Sequence, residues 1–198
     1  CAGDDARELC SAMGFLPAGA IAARRRAEVN ELTATLRTDE APPLRGVAQV
    51  GAALVTGGRD GVMQAAAKGC AEAGGIVIAV TPFTPMEQVN EYTHYVIPTG
   101  LGWARNVITA ISGDIILVVG GAAGTLSEIA YAWMYDRPIV ALSESGGWAK
   151  KLAGERIDHR REDCIVDCDD VNALEPILRK LLAERPIKTI PPVGRDTP

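Results

Sequence analysis

The chain has 198 residues, 47% hydrophobic and 23% charged, with a formal net charge of −5. This is enough polypeptide for one domain with a real core, and the ordinary globular composition excludes a fibrous or disordered chain. The acidic balance argues against broad nucleic-acid binding, which needs a basic surface, but leaves room for one small phosphate held by backbone amides.

In chain order, AARRR reads as helical or disordered and ELTATLR (31–37) as an opening strand. APPLRGVAQVG reads as its return helix, with Pro42 and Pro43 suited to a first helical turn. AALV (52–55) is a short apolar run ended by TGGRDG, and VMQAAAKGCAEAGG an alanine-rich helix stopped at Gly74 and Gly75. IVIAVTP is a β-branched strand ended by Pro82. A polar loop, FTPMEQVNEYTH, leads to the apolar run YVIP. TGLGWARNVITAIS reads as a loop entering a helix, DIILVVGG as a strong strand, TLSEIAYAWMYD as a helix and RPIVALS as a strand. SGGW belongs to a short loop, and IVD (165–167) to a last strand. DVNALEPILRKLLAE carries Leu174, Ile177, Leu178, Leu181 and Leu182 at helical spacing, with Asp169 or Asp170 as its cap.

Uniformly apolar strands alternating with helices imply a parallel sheet covered on both faces. The fold class expected is α/β: a three-layer α/β/α, Rossmann-like, doubly wound parallel sheet. Residues 1–40 are set apart as an N-terminal segment, 41–185 as one ligand-binding domain, and 186–198, ending PPVGRDTP, as a tail.

The five cysteines, Cys1, Cys10, Cys70, Cys164 and Cys168, are odd in number and lack zinc-site spacing, so no metal is expected and reduced, mostly packed thiols are. Cys164 and Cys168 either share a helical face or are not helical. The opening CAGDDARELC lacks the basic-then-apolar pattern of a secretory signal, and the apolar runs are short of a membrane span. The expectation is a soluble, cytoplasmic protein with no membrane and no nucleic acid among its partners.

Two glycine-rich turns stand at strand ends, where such sheets bind ligands. The first contains Gly57, Gly58 and Gly61 and leads to Met63; the second contains Gly120, Gly121 and Gly124 and leads to Thr125. Each lets an anion approach the backbone and precedes a helix whose amides favour negative charge. One such turn is as well explained by tight strand-to-helix geometry; two in one sheet point to a phosphate-bearing ligand between them. Glu128 has two readings: a residue favourable to its own helix N-terminus, or a carboxylate that touches the non-phosphate part of a ligand. Arg105 is either a bidentate phosphate ligand or a surface arginine at a helix start, where the dipole disfavours it. Asn106 is a capping or amide-binding residue. Trp103 either stacks on a flat ring or packs ordinarily or against another subunit.

Together TGGRDGVMQAAAKGCAEAGG, IPTGLGWARNV and GGAAGTLSEIAYAW resemble the LOG-like Rossmann proteins, and among them the molybdenum cofactor carrier proteins and their uncharacterised bacterial relatives. The likeness runs from about Gly51 to Leu142. It implies homo-oligomers, dimers or tetramers. LOG enzymes cleave the base from a cytokinin nucleoside 5′-monophosphate, using a motif P-G-G-x-G-T-x-x-E and the arginine of an upstream R-K pair. On that motif the glutamate falls on Glu128 and the arginine on Arg105, 23 residues apart as in the enzymes, while Asn106 replaces the lysine, Gly120 the proline and Ala122 a glycine. The first two replacements look like the carrier branch; Ala122 departs from both branches, adding a methyl where a phosphate comes close and narrowing the backbone. The family's opening strand and its glycine turn are not recognisable in residues 1–40.

The resemblance implies two functions. A carrier binds molybdenum cofactor, a pterin with one phosphate, at the two turns, with Arg105 and Glu128 positioning it. A nucleoside 5′-monophosphate phosphoribohydrolase uses Arg105 to orient the nucleotide and Glu128 to support N-glycosidic cleavage. Carriage or nucleotide-type binding is placed ahead of hydrolysis; a nucleotide-sensing module is a third reading, and a DNA-processing role is disfavoured by the charge.

Overall fold

The computed structural model describes the backbone of residues 31–36 and the full residues 44–84 and 89–184. AARRR, Pro42, Pro43, Cys1, Cys10 and the tail lie outside the described residues.

Seven strands form one sheet: β1 (Glu31–Leu36), β2 (Ala53–Thr56), β3 (Ile76–Thr81), β4 (Tyr95–Pro98), β5 (Ile115–Val119), β6 (Ile139–Leu142) and β7 (Val166–Cys168). Their order across the sheet is β4-β3-β2-β1-β5-β6-β7 and every pairing is parallel. The opening strand read in ELTATLR is therefore the central one, and Asn30–Arg185 form one compact unit.

Among the described residues six α-helices connect and cover the strands: α1 (Arg45–Gln49), α2 (Val62–Glu72), α3 (Arg105–Ser112), α4 (Ala123–Met134), α5 (Gly147–Leu152) and α6 (Leu174–Glu184). The return helix expected in APPLRGVAQVG is only the five residues of α1. SGGW is not a loop: it enters α5 through a 3-10 turn at Ser143–Ser145. The last strand lies one residue later than expected, and Asp170, not Asp169, supplies the cap by accepting from the Asn172 amide at 2.8 Å.

Successive strand side chains point to opposite faces. On β5, Ile115, Leu117 and Val119 join Leu44, just ahead of α1, and Val47, Ala66, Leu174 and Leu178 of α1, α2 and α6, while Ile116 and Val118 meet Ile129, Ala132, Trp133 and Ala149 of α4 and α5. A strand buried on both sides has no polar face, which is why the sequence here is apolar without alternation. Cys70 lies in the first of these cores, and burial pushes its thiol up to about 12. Cys168 ends β7 and Cys164 stands in the exposed loop before it, so neither is helical. Among the described residues no helix is long and apolar enough to cross a membrane.

The chain builds β1 to β4 in one direction, then returns to set β5 on the other side of β1. The crevice at the carboxyl ends of β1 and β5 is thus the topological switch point, where open α/β sheets bind ligands. The turn after β2 and the turn after β5 flank it.

Candidate functional site

Arg105 opens α3, the crossover that returns from β4 to β5. It is not on the surface: only 6% of it is exposed, and its Nη1 donates to Glu128 Oε1 at 3.3 Å and to Thr109 Oγ1 at 3.1 Å. Glu128, 1% exposed, lies in the second turn of α4, beyond the helix start at Ala123, and holds the guanidinium. Burial pulls the Arg105 pKa below its ordinary value, the Glu128 charge opposes that, and the Arg59 charge adds to it. Arginine stays protonated throughout. Arg105 Nε is buried without a hydrogen-bond partner among the described residues.

The first turn is shaped around this guanidinium. A Cβ on Gly57 would stand 2.5 Å from Arg105 Nη2 and 2.8 Å from Cζ, so the missing side chain is the space the arginine occupies. Gly58 has φ +74 and faces the Ala79 methyl, where a Cβ would come to 2.6 Å. Its amide donates to Thr56 Oγ1 at 3.0 Å, and its carbonyl accepts from the Asn90 amide at 2.8 Å. Asn90 Nδ2 also donates to the Arg59 carbonyl at 3.3 Å, fastening the turn to the loop before β4. Gly61, φ 71, starts α2 without a side-chain cap, and Met63 is half-buried in its first turn.

The second turn is held differently. Gly120 and Gly121 both take positive φ, 61 and 108. The Gly120 amide donates to Ser145 Oγ at 2.6 Å, and its carbonyl accepts from the Ala149 amide at 2.9 Å. A Cβ on Gly147 would lie 2.6 Å from the Gly120 carbonyl carbon, so backbone rests on backbone there. Gly121 covers the buried Thr125 side chain, whose Cγ2 would be 2.6 Å from an added Cβ. Asn106 donates to Ser127 Oγ at 2.9 Å and to the Gly124 carbonyl at 3.4 Å, tying α3 to the first turn of α4. That first turn has neither a side-chain cap nor an acid, so its amides keep the orphan donors of a helix start.

Ala122 has φ −116 and ψ −159, extended backbone that any residue adopts. The expected narrowing of the backbone therefore has no consequence; the methyl sits at an exposed position. Trp103 is 82% exposed, which excludes ordinary packing within the chain.

The structure thus brings Arg105, Glu128 and Gly57 into contact, sets Asn106 against Gly124, and places the remaining glycines, Met63 and Thr125 at the two helix starts beside the switch point. Sequence reading missed four participants. Thr109 follows Arg105 by one helical turn, a spacing that signals contact once Arg105 is known to be buried. Asn90, Ser145 and Gly147 come from segments with no motif, and only the fold carries them to the turns.

The sequence model of the SLOG cluster4 family matches residues 43–174. An uncharacterized protein of Archaeoglobus fulgidus is 41% identical over 96 residues, which are 48% of this chain and 63% of that relative. The chain thus spans less than two thirds of the relative's length. Among solved structures, TM1055 is 26% identical with a TM-score of 0.69, covering 77% of this chain and 99% of its own. The molybdenum cofactor binding protein of the phototrophic bacterium Rippkaea orientalis is 25% identical with a TM-score of 0.65, over 79% of this chain and 99% of its own. A molybdenum cofactor carrier protein of Chlamydomonas reinhardtii is 28% identical with a TM-score of 0.63, over 81% of this chain and 100% of its own.

Proposed function

The chain belongs to the SLOG cluster4 family, and we propose that it binds a phosphate-bearing, nucleotide-type ligand in the manner of a molybdenum cofactor carrier. One observation carries the choice of binding over cleavage. Glu128 is enclosed behind Arg105, at 1% exposure, with its carboxylate on the guanidinium. A carboxylate that supports glycosidic cleavage has to reach the sugar or its attacking water; this one orients an arginine.

The site residues take roles accordingly. Gly57, Gly58, Gly61 and Met63 form one wall and Gly120, Gly121, Gly124 and Thr125 the other, with the helix starts of α2 and α4 offering amides to the phosphate. Arg105 supplies positive charge between them, and Glu128 and Asn106 hold it and α4 in place. The orphaned Nε of Arg105 fits an anion site whose donors are not all spent inside the protein. Solved proteins of this fold that are named for binding or carrying molybdenum cofactor support that cargo. A homo-oligomer, dimer or tetramer, and a cytoplasmic setting belong to the same reading; the exposed Trp103 suits a subunit contact.

The phosphoribohydrolase is the second reading, favoured by the direct Arg105–Glu128 bond between the two residues that the hydrolase motif pairs. Incubation with AMP and, separately, with molybdenum cofactor released from a molybdoenzyme decides between them. The expected result is saturable cofactor binding and no free adenine. Adenine release that disappears in Glu128→Gln and Arg105→Ala would overturn the carrier reading.

A further inference from the structure

Arg59 sits on the first glycine turn, exposed, two residues from the glycine that makes room for Arg105. Its guanidinium lies over the Phe83 ring, 5.8 Å from the centroid, and among the described residues it forms no ion pair. A cation that seeks only hydration needs no ring beneath it; the contact restrains the Arg59 side chain. The turn is itself fixed, because Asn90 holds the carbonyls of Gly58 and Arg59 at 2.8 and 3.3 Å. Phe83 is 44% exposed, so the ring is not spent on the core.

One arginine thus stands on the turn itself, two residues from Gly57, and the other, from the head of α3, fills the space beside Gly57. The Arg59 charge adds to the burial that lowers the Arg105 pKa, and Arg105 is paired with the buried Glu128 carboxylate. Burying Arg105 beside a second cation is unfavourable unless an anion completes the group.

We infer that Arg59 is an unassigned ligand-binding residue, and that the site selects a phosphate monoester whose doubly charged phosphate bridges Arg59 and Arg105 across Gly57. This rests on the binding function proposed above. It moves the specificity of the site from backbone amides, which accept any small anion, to paired guanidiniums, whose planar forks of donors favour the dianion. Phe83 is a positioning residue that acts through Arg59.

The test is calorimetric titration of the full chain and of Arg59→Ala, Arg59→Lys and Phe83→Ala with AMP, adenosine, inorganic phosphate and cofactor released from a molybdoenzyme. Arg59→Ala should weaken AMP, phosphate and the cofactor alike by about tenfold or more, the effect of removing a charged hydrogen-bond donor. Adenosine affinity should not move. Arg59→Lys should recover part of the loss because charge remains, and Phe83→Ala should cost about two- to fivefold. Unchanged affinity in Arg59→Ala, with loss in Arg105→Ala, overturns the role of Arg59 and leaves the binding function standing. A loss confined to AMP or to the cofactor means that Arg59 reads the ring rather than the phosphate, and also overturns it. If the unaltered protein binds no phosphate monoester at all, the binding function itself fails.

Discussion

The two glycine turns look alike as strings but are supported by opposite means. The turn after β2 is hollow: Gly57 is vacant of side chain so that the Arg105 guanidinium can occupy the place, and Arg59 stands exposed two residues further along the same turn. The turn after β5 is filled: Gly147 and Ala149 of α5 press backbone against Gly120, and Ser145 takes its amide. The same local device, a strand ending in glycines and a helix start, thus serves a charge-bearing wall in one case and a rigid buttressed wall in the other. Substitution at equivalent glycines should therefore give different phenotypes.

The largest effect is expected from Gly147→Ala. Its φ is +56 and its Cβ would meet the Gly120 carbonyl carbon at 2.6 Å, main-chain atoms that no rotamer change removes. A loss of about 3 kcal/mol or more should appear in urea melts, and a melt like that of the unaltered protein would remove the contrast with the first turn. Gly57→Ala comes next and breaks differently. Its neighbour is the far end of an arginine, which can swing aside, so the stability loss should be smaller, about 1–2 kcal/mol from the disturbed buried pair. Ligand affinity should fall at least as far as it does in Arg59→Ala; intact binding would mean that Arg105 is not held over Gly57 for the ligand's sake. Gly124→Ala is the smallest and has the opposite sign. A Cβ there would reach only ordinary contact, 3.7 Å from Asn106 Nδ2, within a helix. Replacing a helical glycine by alanine should raise stability by about 0.5–1 kcal/mol, seen as a higher denaturation midpoint.

Much of the architecture was legible beforehand. DIILVV and IVIAV have no polar face because helices cover both sides, and that pattern by itself implies a parallel sheet. TGGRDG and GGAAG were legible as turns because glycine at the end of an apolar run followed by a helical pattern has few other readings. Within the site, the pairing of Arg105 with Glu128 was legible only through the resemblance; their 23-residue separation carries no local signal. The burial of Arg105 removes one of its two readings, the surface arginine; the dipole disfavours a cation at a helix start, and a carboxylate from another helix offsets that. Asn90, Ser145 and Gly147 were not legible at all. Asparagine in a polar loop and SGGW before a helix are ordinary text until the sheet brings them to the turns.

What the sequence by itself determined is the alternation of strand and helix, the parallel sheet that follows from it, and the positions where the backbone turns sharply. These depend on hydrophobic period and on glycine's freedom, both properties of short stretches of chain. What only the tertiary structure decided is which strand is central, that Gly57 is empty for the sake of Arg105, and that Glu128 faces an arginine rather than a helix start. Those depend on groups far apart in the chain meeting within a few ångströms, where sterics and charge act between side chains that no local pattern connects.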